Sequence, residues 1–315
     1  MTHTKENNEK RVVRVPVATL WTAPDSPREV DQTSLTASAS MRDWLKVLDD
    51  DQKRELCDEN LVQSQLLLGE EVWVDEWVDD WAKVVVPSQP SKKDKRGYPG
   101  YIPGSQLIEK KDSDWSSNKW AVVHKKQAWL YNGAEEPLME VSYLTSLPVL
   151  EENDTYVKVV YPDGIGYFVS EDVAVQTKEE AKAKGSGKDL IRSGEAFVGL
   201  PYFWGGMSAF GYDCSGFAYN MHKAFHYEIP RDATDQAKSG TNIALNDLQA
   251  GDLLFFAYEE GKGRIHHVGF YYGDNKMLHS PNVGKSIEII DLEGTVYEKE
   301  LCVARRYWIE TEETS

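Results

Sequence analysis

The chain has 315 residues, room for two or three domains, and carries 52 Asp and Glu against 35 Lys and Arg, a formal net charge of −17. So acidic a chain disfavours nucleic acid, whose phosphates need Lys and Arg, and disfavours anionic lipid as a partner. With 41% hydrophobic residues it has ample material for packed cores, and no apolar run approaches the roughly 18–20 residues of a membrane span.

The opening, residues 1–14 (MTHTKENNEKRVVR), lacks the apolar core of a signal peptide. Three cysteines, Cys57, Cys214 and Cys302, are too few and odd in number for a disulfide framework. Both features lead to an expectation of free thiols in a reducing compartment, the cytoplasm.

Two stretches then echo each other. Residues 81–87 read WAKVVVP and residues 156–162 read YVKVVYP. Each is followed by an aromatic–glycine stretch, GYPGYIP at 97–103 and GIGYFV at 164–169, and each closes on a short polar–apolar end, SQLIE or SEDVAV. β-Branched and aromatic residues alternating between Gly and Pro predict short strands of small barrels, and the repetition predicts two copies of one module. The first copy, residues 1–112, holds an insertion at 38–68. There Met41, Trp44, Leu45 and Leu48 recur at helical spacing. The second copy is residues 113–178. The pattern resembles bacterial SH3-like (SH3b) domains, and any other pair of small β-barrels is the competing assignment.

Residues 178–188 (KEEAKAKGSGK) are charged and small and predict a domain boundary. Beyond it, Leu190, Ile191, Ala196 and Phe197 have helical spacing, and a second helix is predicted from Asp213. Strands are predicted at 252–258, 265–272, 276–280, 286–290 and 303–308. Helices followed by an antiparallel sheet make residues 186–315 an α+β domain.

The chemistry concentrates in this last third. Residues 202–217 read YFWGGMSAFGYDCSGF, and Phe217, Met221 and Phe225 follow at intervals of four. Cys214 thus opens an amphipathic helix, flanked by Asp213 and Ser215, residue types common at helix starts. Unpaired N–H groups and the positive dipole end there favour a thiolate and suit a developing oxyanion. Cys57 and Cys302 lack that setting and read as small buried apolar residues.

A nucleophilic thiol needs a base, and the chain has seven histidines. His3 lies in a tail and His124 in a predicted barrel. His222 and His226 lie roughly 12 and 18 Å along the same helix, at about 1.5 Å per residue. His266, His267 and His279 remain, on a predicted hairpin around Gly273, Asp274 and Asn275. Neighbouring side chains on a strand face opposite ways, so only one of His266 and His267 faces the cysteine. A three-residue loop pairs Tyr272 with Lys276 and Gly269 with His279. His267 and His279 then share a face, and Gly269 leaves room there for a helix. A four-residue loop selects His266 instead.

Asp213-Cys214-Ser215-Gly216-Phe217, His267-Val268-Gly269 and Leu278-His279 resemble the motifs of the NlpC/P60 cysteine peptidases. So do PYFWGG before the cysteine, IPRDATDQ after it and GDLLFF from Gly251. With two SH3b-like modules ahead, the whole is similar to the YkfC-like γ-D-glutamyl-L-diamino acid endopeptidases. The resemblance implies a papain-like catalytic domain in which Cys214 attacks the scissile carbonyl, His267 is the base, His279 orients it and Tyr202 lies near the oxyanion. The implied substrate is a peptidoglycan stem peptide with a free N-terminal L-Ala, cut after γ-D-Glu in muropeptide recycling. Glu70, Tyr98, Asp213 and Asp232 are the implied amine contacts, with Trp204 and Ser215 as pocket walls. Where family members often carry Ser, this chain has Ala233-Thr234, which removes one hydroxyl. No cofactor or metal is expected, since CxxC and HExxH spacings are absent. Competing readings are another papain-like amidase, a wall-binding protein with an inactive catalytic domain, and a metal site built from Cys214, His266, His267 and His279.

Overall fold

The computed structural model describes residues 9–110, 115–177, 179–180 and 183–309. The boundary expected at 112/113 and His3 lie outside the described residues. The chain divides into two compact units: Met1–Leu48 with Glu59–Val175, and Asp49–Asp58 with Gln176–Ser315.

The first unit holds two seven-stranded sheets. One contains β1 (Glu9–Val13), β2 (Val17–Trp21), β3 (Val62–Leu67), β4 (Glu71–Val78), β5 (Trp81–Val86), β6 (Tyr98–Pro103) and β7 (Leu107–Glu109). The other contains β8 (Lys119–Val123), β9 (Gln127–Tyr131), β10 (Pro137–Ser142), β11 (Ser146–Glu152), β12 (Tyr156–Tyr161), β13 (Gly164–Val169) and β14 (Val173–Thr177). Their strand orders, β3-β2-β6-β5-β4-β1-β7 and β10-β9-β13-β12-β11-β8-β14, are the same path taken twice. The echoed sequences are the antiparallel pairs β5–β6 and β12–β13. Alternation explains their placement: Ala82, Val84 and Val86 enter one core, and Val157 and Val159 the other. Leu68 joins the second core from the first module, and Arg14 pairs with Asp163 at 2.6 Å.

Within 38–68 the structure has α1 (Met41–Val47), α2 (Asp50–Asp58) and then strand β3. Ser40 caps α1 by accepting from the Asp43 N–H. Met41 and Trp44 are buried, and the Trp44 indole packs on Trp21 and donates to Asp31 at 2.9 Å.

The second unit is α+β. Its elements are α3 (Gly187–Glu195), β15 (Met207–Ser208), β16 (Gly211–Tyr212), α4 (Cys214–Lys223), α5 (Ala233–Gln236), β17 (Thr241–Ile243), β18 (Leu253–Ala257), α6 (Tyr258–Gly261), β19 (Ile265–Gly273), β20 (Lys276–His279), β21 (Glu288–Asp291), α7 (Val296–Glu300) and β22 (Leu301–Arg306). Six strands form an antiparallel sheet, β17-β22-β18-β19-β20-β21. A reciprocal Ser186–Asp189 capping box starts α3 at Gly187, ahead of the Leu190–Ile191 spacing. Helix α4 lies on β19, with Phe217 edge-on to Phe270 and His222 stacked on it. Phe225 falls beyond the end of α4, so only Phe217 and Met221 of the expected stripe are helical and buried. Although it comes from far upstream, α2 packs with this unit, where Asp50 and Arg54 lie against Gly284.

Candidate active site

Glycines bring the chain tightly against the start of α4. A Cβ at Gly206 would lie 2.2 Å from the Gly211 carbonyl oxygen, and one at Gly216 would lie 2.1 Å from that of Gly206. Side chains at either position would push the β15–β16 turn off the helix. Asp213 caps α4, its Oδ1 accepting from the Gly216 N–H at 2.6 Å and from the Ser215 hydroxyl at 3.1 Å. The buried Arg231 guanidinium, 1% exposed, donates to Asp213 Oδ2 at 2.6 Å and to Ser215 Oγ at 2.8 Å. Gln236 Nε2 donates to the Ser215 carbonyl at 3.1 Å. Thus the polar atoms of Asp213 and Ser215 hold the helix start together. Arg231 is a site residue that sequence reasoning passed over. Its only signal is its place in the IPRDATDQ stretch.

The backbone N–H groups of Ser215 and Val268 point at the Cys214 sulfur. Their pull, and that of Arg231, is outweighed. Burial, followed by the Asp213 carboxylate, pushes the Cys214 thiol up to about 12. The thiolate expected from the helix dipole alone therefore gives way to a protonated resting thiol.

The β19–β20 hairpin supplies the histidines. Tyr271 pairs with Met277 and Phe270 with Leu278, the register that places Gly269 opposite His279. The turn itself is only Asp274 and Asn275, at φ of 48° and 59°, with the register shifting by one residue at Gly273. His267 Nε2 and His279 Nδ1 lie 2.8 Å apart, and both rings are buried. Gly269 does not admit a helix as expected. A Cβ there would meet Met277 Sδ at 2.5 Å and His279 Cβ at 3.0 Å, so the space belongs to the side chains of β20. Alternation fails at His266: the register with β18 shifts between Phe256 and Ala257, leaving His266 as an extra residue of β19. Its ring stacks 6.4 Å from that of His267 while resting on Tyr258 and lying 2.9 Å from a Glu300 oxygen.

Burial, with smaller contributions from His279 and His266, holds the His267 imidazole well below its ordinary value of 6.5. Burial and then Lys285 bring His279 down to about 4. At neutral pH these directions leave a protonated thiol and two uncharged imidazoles.

Tyr202 is buried, and its N–H donates to the Lys285 carbonyl at 2.9 Å. Burial, then Cys214, Asp213 and Cys57, raises its phenol well above 10, so it remains a donor. Trp204 and Asp232 are half-buried, and Asp232 precedes α5, its carbonyl accepting from the N–H groups of Asp235 and Gln236. Glu70 and Tyr98 belong to the first unit. Glu70 Oε2 accepts from the Leu67 N–H at 2.9 Å, and the buried Tyr98 ring lies under Lys93. Two further neighbours carried no signal in the sequence. Cys57, read as an inert core residue, is half-exposed on α2 within electrostatic reach of Asp213 and Tyr202, its thiol raised to about 11 by burial and then Asp58. Tyr297 lies 5.1 Å from the His267 ring and 5.3 Å from that of His279. Burial, and then Cys214, raises its phenol to about 12.

A family model described as the NlpC/P60 family matches residues 199–306, and one described as the YKFC SH3b2 domain matches residues 123–175. The chain is 50% identical over 294 residues to the gamma-D-glutamyl-L-lysine dipeptidyl-peptidase of Bacillus subtilis (strain 168), covering 93% of this chain and 97% of that protein. The chain belongs to the NlpC/P60 family. A second NlpC/P60 relative, the gamma-D-glutamyl-L-lysine dipeptidyl-peptidase of Bacillus cereus (strain ATCC 10987), is 39% identical, covering 97% of this chain and 93% of its own length. The crystal structure of an NlpC/P60 family protein from Bacillus cereus ATCC 10987 superposes with a TM-score of 0.91 at 39% identity, over 95% of this chain and 100% of that one. The protein is accordingly a cysteine peptidase, with two SH3b-like modules ahead of its catalytic domain.

Proposed function

We propose that this peptidase removes L-Ala-γ-D-Glu from peptidoglycan stem peptides with a free N-terminus, cutting the γ-D-glutamyl bond to the diamino acid. The observation that carries the chemistry is the 2.8 Å contact between His267 and His279 on the strand whose Val268 N–H reaches the Cys214 sulfur. With Nε2 engaged by His279, the other ring nitrogen of His267 is left for the thiol. As Cys214 Sγ bonds to the scissile carbonyl carbon, its proton passes to His267 Nδ1. That proton then goes to the departing amine as the C–N bond breaks. Water, deprotonated by the same nitrogen, releases the γ-D-glutamyl product and frees the thiol. Backbone N–H groups at the start of α4 and the Tyr202 hydroxyl, still protonated, are suited to the oxyanion.

The printed names of the two relatives support the substrate, and a dipeptidyl-peptidase must sense a free amine two residues from its cut. Asp232 offers a half-buried carboxylate for that ammonium, and Trp204 an aromatic wall. No helix among the described residues is long and apolar enough to cross a membrane, and an intracellular role in recycling muropeptides is part of this proposal.

The test is product identification with L-Ala-γ-D-Glu-L-Lys and its N-acetylated form. Release of L-Ala-γ-D-Glu from the free peptide, with acetylation slowing cleavage at least tenfold, is expected. Equal rates on both would remove the amine pocket, and absence of the dipeptide would remove the substrate assignment.

A further inference from the structure

Beyond His279 the hydrogen-bond chain stops short. The His279 side chain is 1% exposed and its Nε2 is a buried polar atom with no hydrogen-bond partner. The carboxylate nearest to it is Glu288 Oε1, at 3.7 Å. The relation is built into the sheet, because His279 and Glu288 are directly opposed across β20 and β21 and so share a face. Lys285, 4.0 Å from the same Glu288 oxygen, attracts the carboxylate from its other side.

The protons on this chain are not independent. For His267 Nδ1 to accept a proton from Cys214, it must be bare, and the ring hydrogen then sits on Nε2. His267 Nε2–H donates to His279 Nδ1, which must also be bare, so the His279 hydrogen sits on Nε2, facing Glu288. In the opposite arrangement His279 Nδ1–H donates to His267 Nε2. The His267 hydrogen then sits on Nδ1, and no base faces the thiol. Both arrangements satisfy the 2.8 Å contact equally, so something outside the pair must choose. An acceptor beside His279 Nε2 favours the first, and a carboxylate is the stronger acceptor.

We infer that Glu288 is a positioning residue that holds His279 in the tautomer that makes His267 a base. At 3.7 Å its present effect is electrostatic. Rotation of its part-exposed carboxylate toward the ring closes the gap to the hydrogen-bond range of about 2.9 Å. The role resembles that of the buried carboxylate in a Ser-His-Asp triad, displaced one residue outward. It rests on the reading of Cys214 and His267 as nucleophile and base.

The test uses the full-length protein with ¹⁵N-histidine and the variants Glu288→Ala and Glu288→Gln. In the wild type, ¹⁵N shifts should report His279 protonated at Nε2 and bare at Nδ1. Glu288→Ala should mix the two tautomers and lower kcat on the order of tenfold while KM stays within about twofold. Glu288→Gln, whose amide oxygen still accepts, should keep the wild-type tautomer and recover most of kcat. An unchanged tautomer in Glu288→Ala overturns the inference, and so does a change confined to KM, which would make Glu288 a substrate contact. The spectroscopic readout needs no turnover. A wild-type protein that holds the expected tautomer but cuts no peptide would fail the proposed function and leave the positioning role standing.

Discussion

Adjacent histidines of β19 meet different neighbours although their rings stack 6.4 Å apart. His267 points into the unit, bonds only another imidazole and is held neutral by burial. His266 rests on Tyr258 and meets the Glu300 carboxylate. One residue type, one step along a strand, yields the proposed base at one position and a carboxylate contact at the next. What differs is burial and the charge of the neighbour, and those decide whether an imidazole is free to take a proton from sulfur.

Removing the proposed reacting groups is the strongest way to test that contrast. Cys214→Ala and His267→Asn should each lower kcat/KM by more than about 10³-fold, while the melting temperature stays near that of the wild type. Dipeptide release followed by chromatography measures this. Turnover of either variant within tenfold of the wild type would end the assignment of that residue.

Arg231 extends the comparison from catalysis to stability. Its guanidinium satisfies both Asp213 and Ser215 in a buried site. Arg231→Ala leaves the Asp213 carboxylate buried without its cation, a loss of about 3–5 kcal/mol. Arg231→Lys retains the charge but not the fork that spans two partners, so it should recover only part of the loss. Urea unfolding decides the matter, and an alanine variant within 1 kcal/mol of wild type would show that the helix start does not depend on the pair.

How much of this was legible beforehand varied with the range of the interaction. The helix start at Cys214 could be read because capping residues and the Phe217–Met221 spacing are local. The duplicated strand path could be read because WAKVVVP and YVKVVYP repeat. The choice between His266 and His267 hung on one turn, where the structure has two residues plus a register shift at Gly273. Sequence spacing does not distinguish that combination from a three-residue loop. Arg231, Cys57, Glu288 and Tyr297 were out of reach for another reason. Each arrives at the site from a separate element, and an arginine, a cysteine or a glutamate on its own has the same local pattern when buried at a site as when solvated. The dominance of burial over the helix dipole at Cys214 was hidden likewise, since it depends on what packs around the sulfur.

The protonation states give a test with a defined sign. In the proposed mechanism His267 works as the bare imidazole, and burial holds its pKa well below 6.5. The active fraction should therefore persist as pH falls through 6.5 and decline only at lower pH. The Cys214 thiol, at about 12, stays protonated across the neutral range and adds no limb there. The pH profile of kcat/KM should show an acid limb below 6.5 and a plateau above it. An acid limb at or above 6.5 would mean a charged, thiolate–imidazolium resting pair instead.

The smallest expected effect is at His266, and it sharpens the comparison most. His266→Ala removes the ring stacked on Tyr258 and the Glu300 contact, neither of which touches Cys214, so kcat/KM at pH 7 should stay within about threefold of wild type. It should not be silent, however. His266 is one of the groups that hold the His267 pKa down, so its removal should move the acid limb upward while leaving the plateau unchanged. A variant that lost the plateau would show that His266 takes part in the reaction. A variant whose limb stayed put would show that burial and His279 alone keep His267 neutral. The expected result, a shifted limb under an intact plateau, fits a proposed base whose proton affinity feels a stacked neighbouring imidazole that takes no part in its chemistry.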